Sequence, residues 1–163
     1  MTGQKKGGEY DPNAVRKTMS VKAPPDIAWR VFTEKMGTWW PLGHYKIGKA
    51  NAVDAVVEPR VGGRWYERGE DGSTCDWGRV LVWEPGSRLV LTWDITADWQ
   101  FDPKLNTEIE VRFIAEGKDA TRVELEHRCL DRYGERREEM RRVFDTEGDW
   151  GKLLEMFARA AAA

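Results

Sequence analysis

Two neighbouring stretches, Glu108-Ile109-Glu110-Val111-Arg112-Phe113 and Thr121-Arg122-Val123-Glu124-Leu125-Glu126-His127-Arg128-Cys129, alternate with a period of two. Ile109, Val111 and Phe113 share one face, and Glu108, Glu110 and Arg112 share the other. In the second stretch Val123 and Leu125 lie in phase with His127 and Cys129, opposite Arg122, Glu124, Glu126 and Arg128. A turn across Gly117 to Asp119 joins the two, so they read as antiparallel strands with an apolar inner face and a wet, charged outer one. Mixed signs on the outer face suit cross-strand pairing in water.

Working toward the N-terminus, the same period recurs in short runs separated by turn residues. Arg88 to Ile95 places Leu89, Leu91, Trp93 and Ile95 on one face. Glu84-Pro85-Gly86-Ser87 turns back into Cys75 to Trp83, and Asp71-Gly72 is a hairpin signal before Arg64-Trp65-Tyr66-Glu67. Val53, Ala55 and Val57 form a further strand ahead of Pro59. Asp98 to Asn106 is a longer loop carrying Trp99 and Phe101. Upstream, Arg16 to Lys22 is a first strand, stopped by Pro24 and Pro25. Ile27, Ala28, Val31 and Phe32 then predict a short helix to about Glu34, and Trp39-Trp40-Pro41 an aromatic turn. Residues 1–13 read as a flexible tail and 14–160 as one domain.

Toward the C-terminus the period becomes helical. Met140, Val143 and Phe144 are followed by Trp150, Leu153, Leu154 and Phe157 at i, i+3, i+4 and i+7. Gly148 and Gly151 predict a bend there, and Asp149 a cap for the second half. An antiparallel sheet with one apolar face needs a cover, and this helix is the large one available. The fold class is therefore α+β, a curved sheet around a long C-terminal helix, enclosing space.

At 163 residues the chain suits one domain. With 26 Lys and Arg against 28 Asp and Glu, the net charge of -2 gives no pull toward nucleic acid or anionic lipid. No apolar run is long enough for membrane insertion. No signal peptide is visible, and two cysteines exclude a disulfide framework, which predicts a cytoplasmic location. Nine Trp residues are the anomaly, explained either by a bulky core or by a lined cavity.

Several residues carry candidate chemistry, each beside a plainer reading. His127 could orient a ligand or act as a base; the plainer reading is a buried, hydrogen-bonded histidine. Cys129 could react, or be a small core hydrophobe. His44 could line a cavity mouth, or be an exposed loop residue. Glu67 would be an acid inside an apolar cup if Trp65, rather than Tyr66, faces inward. Arg79 would anchor a ligand carboxylate if its face, shared with Trp77, Leu81 and Trp83, is the inner one; otherwise Val80 and Val82 point inward. The Gly62-Gly63 pair and Gly78 lack the strand-turn-helix order of a phosphate loop and fit bulges that curve a sheet. The basic residues between Arg132 and Arg142 are balanced by acids and form a solvated face. Two histidines and two distant cysteines predict no metal site, and nothing predicts a cofactor.

Val21, Pro24, Trp29, Phe32-Thr33, Trp39-Trp40-Pro41, Gly62 to Glu67, Trp83-Glu84-Pro85, Leu89, Thr92-Trp93 and Gly148-Asp149-Trp150 with Leu153-Leu154 together resemble the bacterial SRPBCC proteins. More narrowly, they resemble the branch named after the activator of the heat-shock-protein-90 ATPase. The resemblance runs from about Val15 to Phe157. It implies the START-like, birch-pollen-allergen-like helix-grip fold, about seven strands gripping a long helix over a hydrophobic cavity. It also implies, through the branch's name, an association with the stress response.

The functional expectation is binding of a small hydrophobic, aromatic or lipid-like molecule, with no residue assigned a catalytic role. Cavity candidates on the sheet are Trp65, Arg79, Trp93, Val111, Phe113, Leu125 and His127. Trp39 and Phe101 join them from loops, and Met140 and Phe144 from the helix. An alternative is a cyclase or hydrolase acting on a polyketide-like or aromatic substrate, with His127 or Glu67 as acid or base. A third is a co-chaperone that regulates a chaperone ATPase, against which the balanced surface charge argues. A free strand edge could pair two copies into a homodimer.

Overall fold

A computed structural model describes residues 11–43, 46–147 and 150–163. Most of the predicted tail, His44, Gly148 and the Asp149 cap lie outside the described residues. The chain runs β1 (Val15–Val21), α1 (Pro25–Thr33), α2 (Met36–Trp39), β2 (Ala52–Val57), β3 (Arg64–Gly69), β4 (Thr74–Glu84), β5 (Arg88–Trp93), β6 (Thr107–Ala115) and β7 (Thr121–Arg128). A 3-10 helix (Leu130–Arg136), α3 (Arg137–Arg142), a π-helical turn (Val143–Glu147) and α4 (Trp150–Ala162) complete it. The described strands form one antiparallel sheet in the order β1-β7-β6-β5-β4-β3-β2. This is the helix-grip α+β fold, with β1 and β2 as its edges.

The alternation of β6 and β7 settles their register: Ile109 faces His127, Val111 faces Leu125 and Phe113 faces Val123, all buried. Removing such side chains from water stabilises the sheet by about 1.5–3 kcal/mol each. Two features depart from the simple alternation. In β4, Trp77 and Gly78 together oppose Trp65, and Leu81 is the extra residue between the Val80–Leu91 and Val82–Val90 pairs. These two bulges turn Trp77, Val80 and Trp83 inward, so the inner face repeats every third residue. Arg79 and Leu81 are exposed, which corrects the reading that placed Arg79 on the inner face.

The outer face is also less wet than its pattern suggests. Glu110 is buried there and accepts from Arg88 Nε and Arg112 Nε, each at 2.7 Å, and from Arg128 Nη1. Burial alone would raise its carboxyl, but the hydrogen bonds from the three guanidiniums outweigh that and hold it at about 2.

The helical C-terminal cover carries a π turn, Val143–Glu147, directly after α3. A π turn widens the helix by one residue and re-aims its side chains. Here the turn is tied down twice. Lys17 extends from the inner face of β1 to Asp145 Oδ1 at 2.7 Å, and Phe144 stacks on His127 with ring centroids 4.2 Å apart. Among the described residues, no helix is long and apolar enough to cross a membrane.

Candidate functional site

The aromatic residues sort into two touching groups. One surrounds α1: Trp29 meets Trp83 at 5.0 Å and Phe113 at 5.3 Å, while Phe32 contacts Trp39 at 5.3 Å and Phe157 at 5.2 Å. These contacts lock α1, α2 and α4 together, so Trp39 and Phe113 belong to the packing of the helices. The second group brings five indoles together from five places in the chain. They are Trp40 after α2, Trp65 on β3, Trp77 on β4, Trp93 on β5 and Trp150 at the start of α4, with neighbouring centroids 5.0–6.3 Å apart. His127 and Phe144 close its far side, 6.2 Å from Trp93. Edge-to-face packing of this kind adds to simple area burial.

The polar atoms of this region have assigned partners with one exception. Trp150 Nε1 donates to His127 Nδ1 at 3.2 Å, so that nitrogen is an acceptor and the proton sits on Nε2. His127 Nε2 lies 3.0 Å from Thr107 Oγ1, whose own hydroxyl donates to the Trp93 carbonyl at 2.7 Å. The imidazole is thus one neutral tautomer in a directed chain. Complete burial pushes its pKa down to about 3. Glu67 is equally engaged: Oε1 accepts from Trp77 Nε1 at 2.9 Å and Ile47 N at 2.5 Å, and Oε2 from Gly48 N at 3.0 Å. It fastens the segment before β2 to the sheet.

The indole N–H groups of Trp39, Trp65, Trp77 and Trp150 donate to protein atoms. The N–H of Trp93, a residue 7% exposed, has none. Among the described residues it is the one buried side-chain polar atom without a partner. The half-buried Tyr133 donates its hydroxyl to the Ile95 carbonyl at 2.7 Å, and its oxygen stands beside the Trp93 and Thr107 side chains without the geometry of a hydrogen bond from the indole.

The remaining expected residues fall elsewhere. Val111 and Leu125 on the sheet and Met140 on α3 are fully buried in the core. Arg79 Nη2 donates to Asn106 Oδ1 at 3.3 Å on the surface, and Phe101 is 36% exposed on its loop. Both therefore stand outside the buried aromatic region, which corrects their selection as cavity residues. Phe101 lies out there because its loop folds back on Ile95 by a backbone bridge, which leaves the ring free. Cys129 does not continue the strand phase. It takes a left-handed backbone conformation after β7, and burial, then the nearby Glu108 carboxylate, push its thiol up to about 11. It is a protonated core thiol at neutral pH. Sequence reasoning passed over Trp40, Trp77 and Tyr133. Trp77 was hidden by the bulge, and the short helical turns around Trp40 and Tyr133 have no readable period.

Sheet, grip helix and buried aromatic region define an SRPBCC protein of the START-like type. The sequence matches the family described as activator of Hsp90 ATPase homolog 1-like protein over residues 22–162, and the chain belongs to that family. Comparison with the curated proteins finds no match. Among solved structures, the anthrahydroquino-gamma-pyrone synthase Txn09 is 37% identical, over 91% of this chain and 99% of its own, with a TM-score of 0.63. The self-sacrificing resistance protein CalC from Micromonospora echinospora is 30% identical, over 91% and 93%, with a TM-score of 0.67. The Aha1 dimer from Colwellia psychrerythraea is 16% identical, over 91% and 96%, with a TM-score of 0.61, and shares the fold.

Proposed function

We propose that this chain binds a flat aromatic small molecule between the sheet and the C-terminal cover, at the five-indole group. The convergence of those indoles from five separate elements carries the reading. A planar ligand that replaces ring-to-ring contacts keeps the dispersion and edge-to-face terms that the indoles make with one another. The π turn in the cover supports it as well, because such turns concentrate at functional sites and Val143–Glu147 borders the group through Phe144. One relative, 37% identical, is a synthase of an anthrahydroquino-gamma-pyrone, which points toward aromatic natural products. Both cysteines are free, which fits the reducing cytoplasm in which we place the protein.

The test is calorimetry and native mass spectrometry with 1,8-dihydroxyanthraquinone. A one-to-one complex with quenched Trp fluorescence and a raised Tm is expected. No complex with this compound, its hydroquinone or anthracene would sink the reading.

A second reading, ring closure of an aromatic polyketide-type substrate, is favoured by the likeness to Txn09. His127 and Glu67 are both committed to fixed donors and acceptors, so they serve structure rather than proton transfer. Closure would then come from the substrate being held folded, with its reacting atoms close. Incubation with a hydroxyanthrahydroquinone bearing a conjugated ketone side chain checks this, and an unchanged substrate by chromatography rejects it.

A further inference from the structure

The Trp93 indole is the point where the interior departs from ordinary packing. A core Trp normally finds an acceptor, because leaving a buried donor unpaired costs its full desolvation. Trp39, Trp65, Trp77 and Trp150 obey that rule with a carbonyl, a thioether, a carboxylate and an imidazole in turn. Trp93 does not, although acceptors stand close by. Thr107 Oγ1 lies between His127 Nε2 and the Trp93 carbonyl, and the Tyr133 oxygen, whose proton goes to Ile95, stands beside the indole N–H without hydrogen-bond geometry. The surroundings thus combine a polar corner with several aromatic rings. Trp65, Trp150 and Phe144 face the Trp93 ring at 5.5, 6.1 and 6.2 Å.

The corner is also close to the surface. Thr107 and Tyr133 are the next residues along the chain from Asn106 and Arg132. Those two help line a surface depression of about 500 Å3 with Asp102, Lys104 and Leu105.

We infer that the bound molecule carries a carbonyl or quinone oxygen that accepts the Trp93 indole N–H. The inference rests on the aromatic-ligand reading and specifies its chemistry. A hydrocarbon of the same shape fills the same space and leaves the donor unpaired. A carbonyl compound satisfies it, and a single neutral hydrogen bond of this kind sets the preference. Binding sites discriminate most sharply through a buried polar group that the wrong ligand leaves unpaired.

The experiment compares 9,10-anthraquinone with anthracene on the wild-type protein and on Trp93→Phe, which keeps an aromatic ring and removes the N–H. The ratio of the two affinities is expected to fall by about fivefold to tenfold in the variant, chiefly through weaker quinone binding. A ratio equal to the wild-type one overturns the inference while leaving the aromatic-ligand reading intact. Failure of the wild type to bind either compound overturns that reading itself. Because the substitution touches the core, the wild type is also examined alone by NMR. The Trp93 indole proton is expected to move downfield with the quinone and to stay in place with anthracene. Identical spectra with both compounds overturn the inference independently of the variant.

Discussion

Glu67 shows what a single residue gains and loses in translation from sequence. Its phase with Trp65 made it an acid among aromatic rings, and it is buried as that phase required. What phase could not supply is the arrival of the Ile47 and Gly48 amides from a segment with no period of its own. With Trp77 Nε1 they give the carboxylate three donors, and an acid so occupied is a fastening. Glu67→Ala should therefore cost about 2–4 kcal/mol, from unpaired buried donors, and should release the segment before β2. Glu67→Gln keeps an acceptor oxygen and should cost less. Urea unfolding reads the stability order. Hydrogen exchange at the Ile47 and Gly48 amides reads the release; unchanged protection in the alanine variant would contradict it. The imidazole of His127 was legible in the same partial way. Its inward phase was visible, but its partners come from the start of β6 and the start of α4, far apart in sequence.

At the scale of elements, strands and helices were readable to within a few residues wherever a run was long enough to show its period. β6 and β7 are the clearest instance, and α2, with four residues, is too short to show one. β4 failed differently. Its sequence alternates, yet two bulges re-aim it, and a bulge is chosen jointly with the partner strands rather than by the strand's own residues. Gly78 was the available signal. A Cβ there would lie 1.9 Å from the Thr92 carbonyl oxygen, on the main chain of β5, which cannot move without breaking the sheet. Gly78→Ala should destabilise the protein by more than about 2 kcal/mol or prevent folding. Gly43→Ala is the control, because a Cβ at that position meets nothing within 4 Å, and it should stay within about 0.5 kcal/mol of the parent. Thermal unfolding of both variants checks the pair; similar Tm values would show that the bulge tolerates a side chain.

Across the whole molecule, ionisable groups divide the two sides of the sheet. His127 lies neutral in the aromatic interior, while Glu110 lies charged under three arginines on the outer face. Both have folded pKa values below their ordinary ones, so both withdraw stability as pH falls, but over different windows. His127 drops from 6.5 to about 3. Below pH 6.5 the unfolded chain takes up a proton that the folded chain refuses, which removes about 1.4 kcal/mol per pH unit. Glu110 drops from 4.5 to about 2, so its contribution is complete above pH 4.5 and is lost below it. Asp94, whose carboxyl burial pushes up, acts in the opposite sense and is common to every variant compared. Urea midpoints measured from pH 8 to pH 3 should therefore fall in two stages. His127→Gln should abolish the first stage, so that its deficit relative to the wild type shrinks from pH 6.5 downward. Glu110→Gln should keep the first stage and lose the second. Parallel curves for the wild type and His127→Gln between pH 6.5 and pH 4.5 would mean that the imidazole is not held neutral. The directed chain from Trp150 through His127 to Thr107 would then be wrong.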